Sequence, residues 1–147
     1  MAGDPPNCSG GAYTSVPAGT GLSPARAAIP KSVSLLTPAL PDVVADNASS
    51  GCFVTGPVAA SPTALDLGLE ACLLELNGQV VDSATGAAVQ GHPAEALALA
   101  ANDLGRRGLA IEPGWIVLTG GMTDAVAVPA GAVLAAHFTH LGSIFLP

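Results

Sequence analysis

At 147 residues the chain has the size of one ordinary domain, half of it hydrophobic and only 10% charged. That balance excludes disorder of the chain as a whole. Four Lys and Arg against eleven Asp and Glu leave a net charge of −7, which argues against nucleic acid and against anionic membrane surfaces, while no apolar run reaches the roughly 18 residues of a transmembrane helix.

The N-terminus carries Asp4, Pro5 and Pro6 where a secretory signal needs basic residues and then an apolar core. Cytoplasmic placement is the expectation. Cys8, Cys52 and Cys72 are odd in number and lack C-x-x-C spacing, so neither a disulfide framework nor a zinc site is expected.

Residues 1–40 are rich in Pro, Gly, Ser, Thr and Ala, with Pro17, Pro24, Pro30 and Pro38 breaking any helical run. This composition predicts a flexible arm or an extended strap over a neighbour. Ser23-Pro24 can open a helix as N-cap and first residue, to be stopped by Pro30. Residues 32–36 can pair as a short strand.

From Asp42 onward strands dominate. Residues 52–55 form a short strand ended by Gly56-Pro57. Residues 71–76 and 79–81 flank Asn77-Gly78, a strong hairpin signal because both turn positions need positive φ. Residues 115–119 form a continuous apolar run after Pro113-Gly114, which predicts a type II turn and then a strand buried on both faces. Residues 132–139 and 143–146 make two closing strands. One helix is predicted, with Pro93 at its first position, Ala94, Leu97, Ala101 and Leu104 on one face, and Gly108 at its end. The fold class is therefore mixed α/β, β-rich, with one main helix. Residues 1–40 read as a leader and 41–147 as the domain.

Ser49 and Ser50 lie in the polar loop Ala45-Asp46-Asn47-Ala48-Ser49-Ser50-Gly51, which can offer hydroxyl and N–H donors to an anion or simply cap its own turn. Thr119-Gly120-Gly121-Met122-Thr123-Asp124 leaves a strand through two glycines, which permit close backbone approach, and supplies two hydroxyls and a carboxylate. His92 can be a base or a ligand but lacks a second ligand at suitable spacing; helix capping or packing fits it better. His137 and His140, three apart on a strand, face opposite sides and cannot share a metal. Glu70 and Glu75 also fall on opposite faces and are expected to be structural.

The ordered set Pro41-Asp42-Val43-Val44-Ala45-Asp46-Asn47-Ala48-Ser49-Ser50-Gly51, Leu76-Asn77-Gly78, Gly91-His92-Pro93, Pro113-Gly114 and His140-Leu141-Gly142-Ser143 resembles the 2-hydroxypenta-2,4-dienoate hydratases and 4-oxalocrotonate (2-oxo-3-hexenedioate) decarboxylases of the fumarylacetoacetate hydrolase superfamily. The likeness runs over about residues 40–147, the C-terminal portion of that fold. Gly120-Gly121-Met122-Thr123-Asp124-Ala125 is closer to the decarboxylase pattern Gly-Gly-x-Thr-Glu-Ala than to the hydratase Gly-Ala-Leu-Gly. The resemblance implies a lyase of aromatic meta-cleavage catabolism. Its Mg²⁺ or Mn²⁺ chelates the carboxylate and 2-oxo oxygens of a small 2-oxo acid.

Carried over, Ser49 and Asp46 would be the catalytic pair. Asn47, Ser50, Thr119, Gly120, Gly121 and Thr123 would contact substrate. The family's metal ligands, a Glu-x-Glu pair and a later Glu, should precede Asp42, yet residues 1–40 hold one acid, Asp4, and no Glu. No metal ligand is therefore assigned, and the cation is not expected to be bound by this chain alone. The expectation is a truncated family member that self-associates, a dimer in the first instance. The alternatives are a non-catalytic subunit of a full-length homologue and a module that binds a 2-oxo acid without turnover.

Overall fold

A computed structural model describes the backbone of residues 7–8, 11–15, 25–32 and 50–147, and side chains from residue 53 onward. Among the described residues, ten strands form two antiparallel sheets, accompanied by one helix and one 3-10 turn.

The first sheet collects β1 (Asn7–Cys8), β2 (Gly11–Ser15), β3 (Ala25–Ser32), β4 (Ser50–Thr55), β7 (Ile116–Gly121) and β8 (Val126–Ala127). β4 lies along one side of β3, while β2 and β1 follow one another along its other side. β7 and β8 follow one another along β2 and β1 in the same way. The sheet is thus four strands wide, with two of its rows interrupted. Gly121 pairs with Gly11 and Val126 with Cys8, so residues 122–125 bulge out of the outer row between β7 and β8. Such interruptions re-aim side chains where a sheet row breaks.

A strand, not a helix, occupies residues 25–32. The segment is too short to repay helix nucleation, and pairing on both sides is available to it. Pro30 falls between the registered partners Ala28 and Lys31, opposite the break between β2 and β1. This strand ends at Ser32; residues 33–36 lie outside the described set.

The second sheet has the order β10 (Gly142–Leu146), β9 (Leu134–Phe138), β5 (Ala71–Leu76), β6 (Gln79–Thr85). The expected hairpin forms, with Asn77 at φ 50 and Gly78 at φ 81, both left-handed as its two-residue turn demands. Asn77 also accepts from the Val133 amide through Oδ1 at 2.9 Å, fastening the hairpin tip to the start of β9. Cys72, Leu74, Leu134, Ala136, Phe138, Leu141 and Ile144 form the core with Val89, Met122, Val128 and Ala132.

The helix α1 spans Pro93–Arg106. His92 caps it, its Nδ1 accepting from the Ala94 amide at 3.1 Å. Its C-terminus closes with the Leu109 amide on the Leu104 carbonyl at 2.9 Å and the Gly108 amide on Gly105 at 3.1 Å, the paired bonds of a Schellman motif with Gly108 at φ 72. Its packed stripe is Ala96, Leu97, Ala100 and Leu104, all only half-buried, while Ala94 and Ala101 are exposed. The face is rotated from the predicted one because the helix meets β7 alone among the major contacts.

The turn at Pro113-Gly114 forms as expected, with Gly114 at φ 90 and the Trp115 amide on the Glu112 carbonyl at 3.2 Å. The strand after it does not match its prediction. Trp115 and Ile116 are 48% and 47% exposed, because β7 is an outer strand rather than a central one. Among the described residues no helix is long and apolar enough to cross a membrane.

Candidate functional site

Thr119, Gly120 and Gly121 belong to β7 itself, so the strand runs two residues further than predicted and the turn starts at Met122. Thr119 is buried at 9% exposure and Met122 at 5%, whereas Gly120, Gly121 and Asp124 are exposed and Thr123 half-buried. Gly120 has φ +123, where an L side chain is strained, and Val89 Cγ1 stands 3.5 Å from the position its Cβ would take. Val89 closes the 3-10 turn of residues 86–88, its amide bonded to the Gly86 carbonyl at 3.0 Å.

The outer end of the segment is held by Asp82 of β6. One carboxylate oxygen accepts from the Ser83 amide at 2.7 Å and the other from the Asp124 amide at 3.1 Å. A buried methionine, a valine underneath and a carboxylate at the far end therefore fix residues 119–124 as a rigid rim. Its exposed backbone, the two glycines, is the part a ligand can approach. Nothing in the local pattern singles out Asp82, since its partner lies 42 residues away.

Of the other predicted residues, Asp46, Asn47 and Ser49 lie outside the described set. Ser50 opens β4 and is registered with Ser32 of β3, Ser32 with Asn7 of β1, and Asn7 with Ala127 of β8. Ser50 and the strand β7 that leads into residues 122–124 share one sheet but stand in its opposite outer rows. Three strand spacings separate Ser50 from Ala127, roughly 14 Å.

Glu70, expected to be structural, has that role from a position just before β5 and not from a strand face. It is 1% exposed and accepts three hydrogen bonds, from the His140 amide at 2.7 Å, from the Leu141 amide at 3.1 Å and from His140 Nδ1 at 2.7 Å. It latches the start of β5 to the turn between β9 and β10. His140 therefore lies in that turn and not on the strand, which ends at Phe138. Glu75 is about one-third exposed and faces His137 at 3.7 Å.

Cys72 is a free buried thiol. Burial pushes it up to about 12, helped by the charges of Asp82 and Glu70, so it is neither a nucleophile nor a ready metal ligand. Among the described residues no three His, Cys, Asp or Glu side chains are grouped to hold a metal ion. The buried carboxylate, Glu70, is already saturated by its three donors. A hard divalent cation needs several oxygen ligands, and the described residues do not supply them.

No protein-family model matches the sequence. The chain is 44% identical over 102 residues to a 4-oxalocrotonate decarboxylase from Pseudomonas putida, a stretch that is 69% of this chain and 39% of that protein. It is 47% identical over 90 residues to a 2-hydroxyhexa-2,4-dienoate hydratase from Comamonas testosteroni, 61% of this chain and 34% of that protein. The chain thus spans well under half the length of these curated relatives. Among solved structures, 4-oxalocrotonate decarboxylase from Pseudomonas putida G7, complexed with magnesium and adipate, superposes with a TM-score of 0.86 at 32% identity. That match covers 96% of this chain and 59% of that chain. The calcium and acetate complex of that decarboxylase gives a TM-score of 0.84 at 33% identity.

Proposed function

Because this chain belongs to the family of 4-oxalocrotonate decarboxylases and 2-hydroxydienoate hydratases, with their fumarylacetoacetate hydrolase-like fold, we propose that it serves the decarboxylase branch of that lyase chemistry. Its ligand on this reading is a small 2-oxo dicarboxylic acid. The observation that carries the proposal is the rim of residues 119–124: the Gly-Gly-x-Thr-x-Ala pattern of the decarboxylases, held rigid by Met122, Val89 and Asp82 with its glycine backbone open to solvent.

On this reading Thr119, Gly120, Gly121 and Thr123 receive a carboxylate end of the substrate. Small side chains there let the backbone amides approach an anion closely. Ser49 and Asp46 handle the substrate's reacting end or its water, with Asn47 and Ser50 beside them. The metal ligands come from elsewhere, since residues 1–40 contain no Glu and the described acids are not clustered. The chain then works as part of a homo-oligomer or beside a full-length homologue.

Calorimetry with the full chain tests the branch. The expected result is that 2-oxo-3-hexenedioate, with its second carboxylate, binds more tightly than 2-hydroxypenta-2,4-dienoate, and that Thr123→Ala erodes the difference. Equal binding of the two acids, or binding of neither, overturns the proposal. Micromolar affinity of the chain alone for Mn²⁺ would overturn the claim that its metal ligands come from elsewhere.

A further inference from the structure

The four-stranded sheet has a face turned away from the core, and the lyase reading uses none of its polar groups. Successive residues of a strand point to opposite faces. His137 therefore stands on the reverse side from Ala136 and Phe138, both of which are buried in the core. Ser143 of β10 and Leu73 of β5 are its direct cross-strand partners, and Glu75 lies one pleat further along β5.

The imidazole is held from two sides. Its Nδ1 is 2.8 Å from Ser143 Oγ, and its ring meets Phe145 edge-on, with centroids 5.7 Å apart and planes at 78°. The other nitrogen, Nε2, faces Glu75 Oε2 at 3.7 Å, with the His137 and Glu75 side chains 36% and 33% exposed. That separation exceeds the 2.7–3.2 Å of an N–H···O hydrogen bond. When Nδ1–H donates to Ser143, Nε2 carries a lone pair, and two electron-pair donors face one another. Two bonds of about 2.0–2.1 Å, the usual lengths for zinc to imidazole and to carboxylate, span such a gap at an angle of about 130°, and a small rotation of the partly exposed Glu75 carboxylate brings it to the tetrahedral value.

We propose that His137 and Glu75 form a surface site for a borderline transition-metal cation, Zn²⁺ or Cu²⁺, with Ser143 as the acceptor that fixes the imidazole tautomer. A hydrogen-bond acceptor on the far nitrogen is the usual support of a metal-bound histidine. Water fills the remaining positions, for which the adjoining cleft of about 570 Å³, lined by Leu73, Ser83, Thr85, Thr139 and His137, leaves room. The cation bridges β5 and β9. A nitrogen ligand selects Zn²⁺ and Cu²⁺ over Mg²⁺, which separates this site from the oxygen-ligated metal of the related enzymes and makes it independent of the lyase reading.

The test is Zn²⁺ and Cu²⁺ calorimetry on the full chain in excess Mg²⁺, with thermal unfolding beside it. One binding event is expected to vanish in His137→Gln and in Glu75→Gln, to weaken about tenfold in Ser143→Ala and to persist in His140→Gln. Zn²⁺ should raise the Tm of the wild-type chain and not that of the first two variants. If His137→Gln does not fold, Glu75→Gln, changed at the sheet surface, decides. Binding that survives Glu75→Gln unchanged, or is lost instead in His140→Gln, overturns the proposal.

Discussion

The two sheets are held together by different means. The four-stranded sheet is made of two hairpins, β5–β6 and β9–β10, joined through the pairing of β5 with β9, over a core in which Leu74, Leu134, Ala136 and Leu141 are fully buried. The six-stranded sheet draws its strands from residues 7–32, 50–55 and 116–127, and its outer rows leave Val54, Trp115 and Ile116 between 38% and 48% exposed. The four-stranded sheet buries an apolar core and is latched by the carboxylate of Glu70, whereas the described side chains of the other sheet's outer rows are partly open to solvent. The candidate rim sits where they meet: its strand β7 belongs to the six-stranded sheet, while Asp82 of β6 and the core residues Met122 and Val89 tie it to the four-stranded one. The four-stranded sheet thus helps to position the loop that follows β7 of the other.

The largest expected contrast is between equivalent truncations. Leu74→Ala should cost about 2–5 kcal/mol, the range for a buried leucine, and Ile116→Ala much less, both read from urea midpoints. Similar losses would erase the distinction between the sheets. Next is Glu70→Gln, which keeps the shape but removes the charge behind three hydrogen bonds; about 1.5–3 kcal/mol should be lost, while Glu75→Gln should be near neutral.

Cys72 gives a pH test. Its thiol ionises near 9 in the unfolded chain and is pushed up to about 12 in the folded one. Below pH 9 both states keep the proton and the group contributes nothing to the pH dependence. Above it the unfolded state alone loses the proton, so stability falls by about 1.4 kcal/mol per pH unit until the folded thiol also ionises. Cys72→Ala should remove that component of the alkaline slope. The smallest effect is Asp82→Ala, which frees the Asp124 amide: about 0.5–1.5 kcal/mol, with faster amide exchange confined to the rim and the hairpin.

The local turns and helix caps were the legible part of the fold. Asn77-Gly78, His92-Pro93 with Gly108, and Pro113-Gly114 each encode a backbone geometry within four residues, and each turn or cap forms as read. β3 was not legible, because its Ala-rich stretch between prolines has no strong local preference and is decided by partners on both sides. The burial of β7 was misjudged because an apolar run does not say whether a strand is central or at an edge. Glu70 was expected to be structural, but its partners at residues 140–141 could not be read, and Asp82 escaped notice altogether, because their partners are remote in sequence and a lone acid has no periodicity. The Thr119-Gly120-Gly121 segment stood out because adjacent glycines announce backbone exposure. Its support from Met122, Val89 and Asp82 is a property of packing.

The account turns on residues 119–124 as the seat of a carboxylate. Amide hydrogen exchange of the full chain, with and without 2-oxo-3-hexenedioate, tests this most directly. Ligand should slow exchange at Gly120, Gly121 and Thr123 and at residues 46–51, and leave the outer face of the four-stranded sheet unchanged. Unaltered exchange at those glycines under saturating ligand, with protection appearing elsewhere, would contradict it.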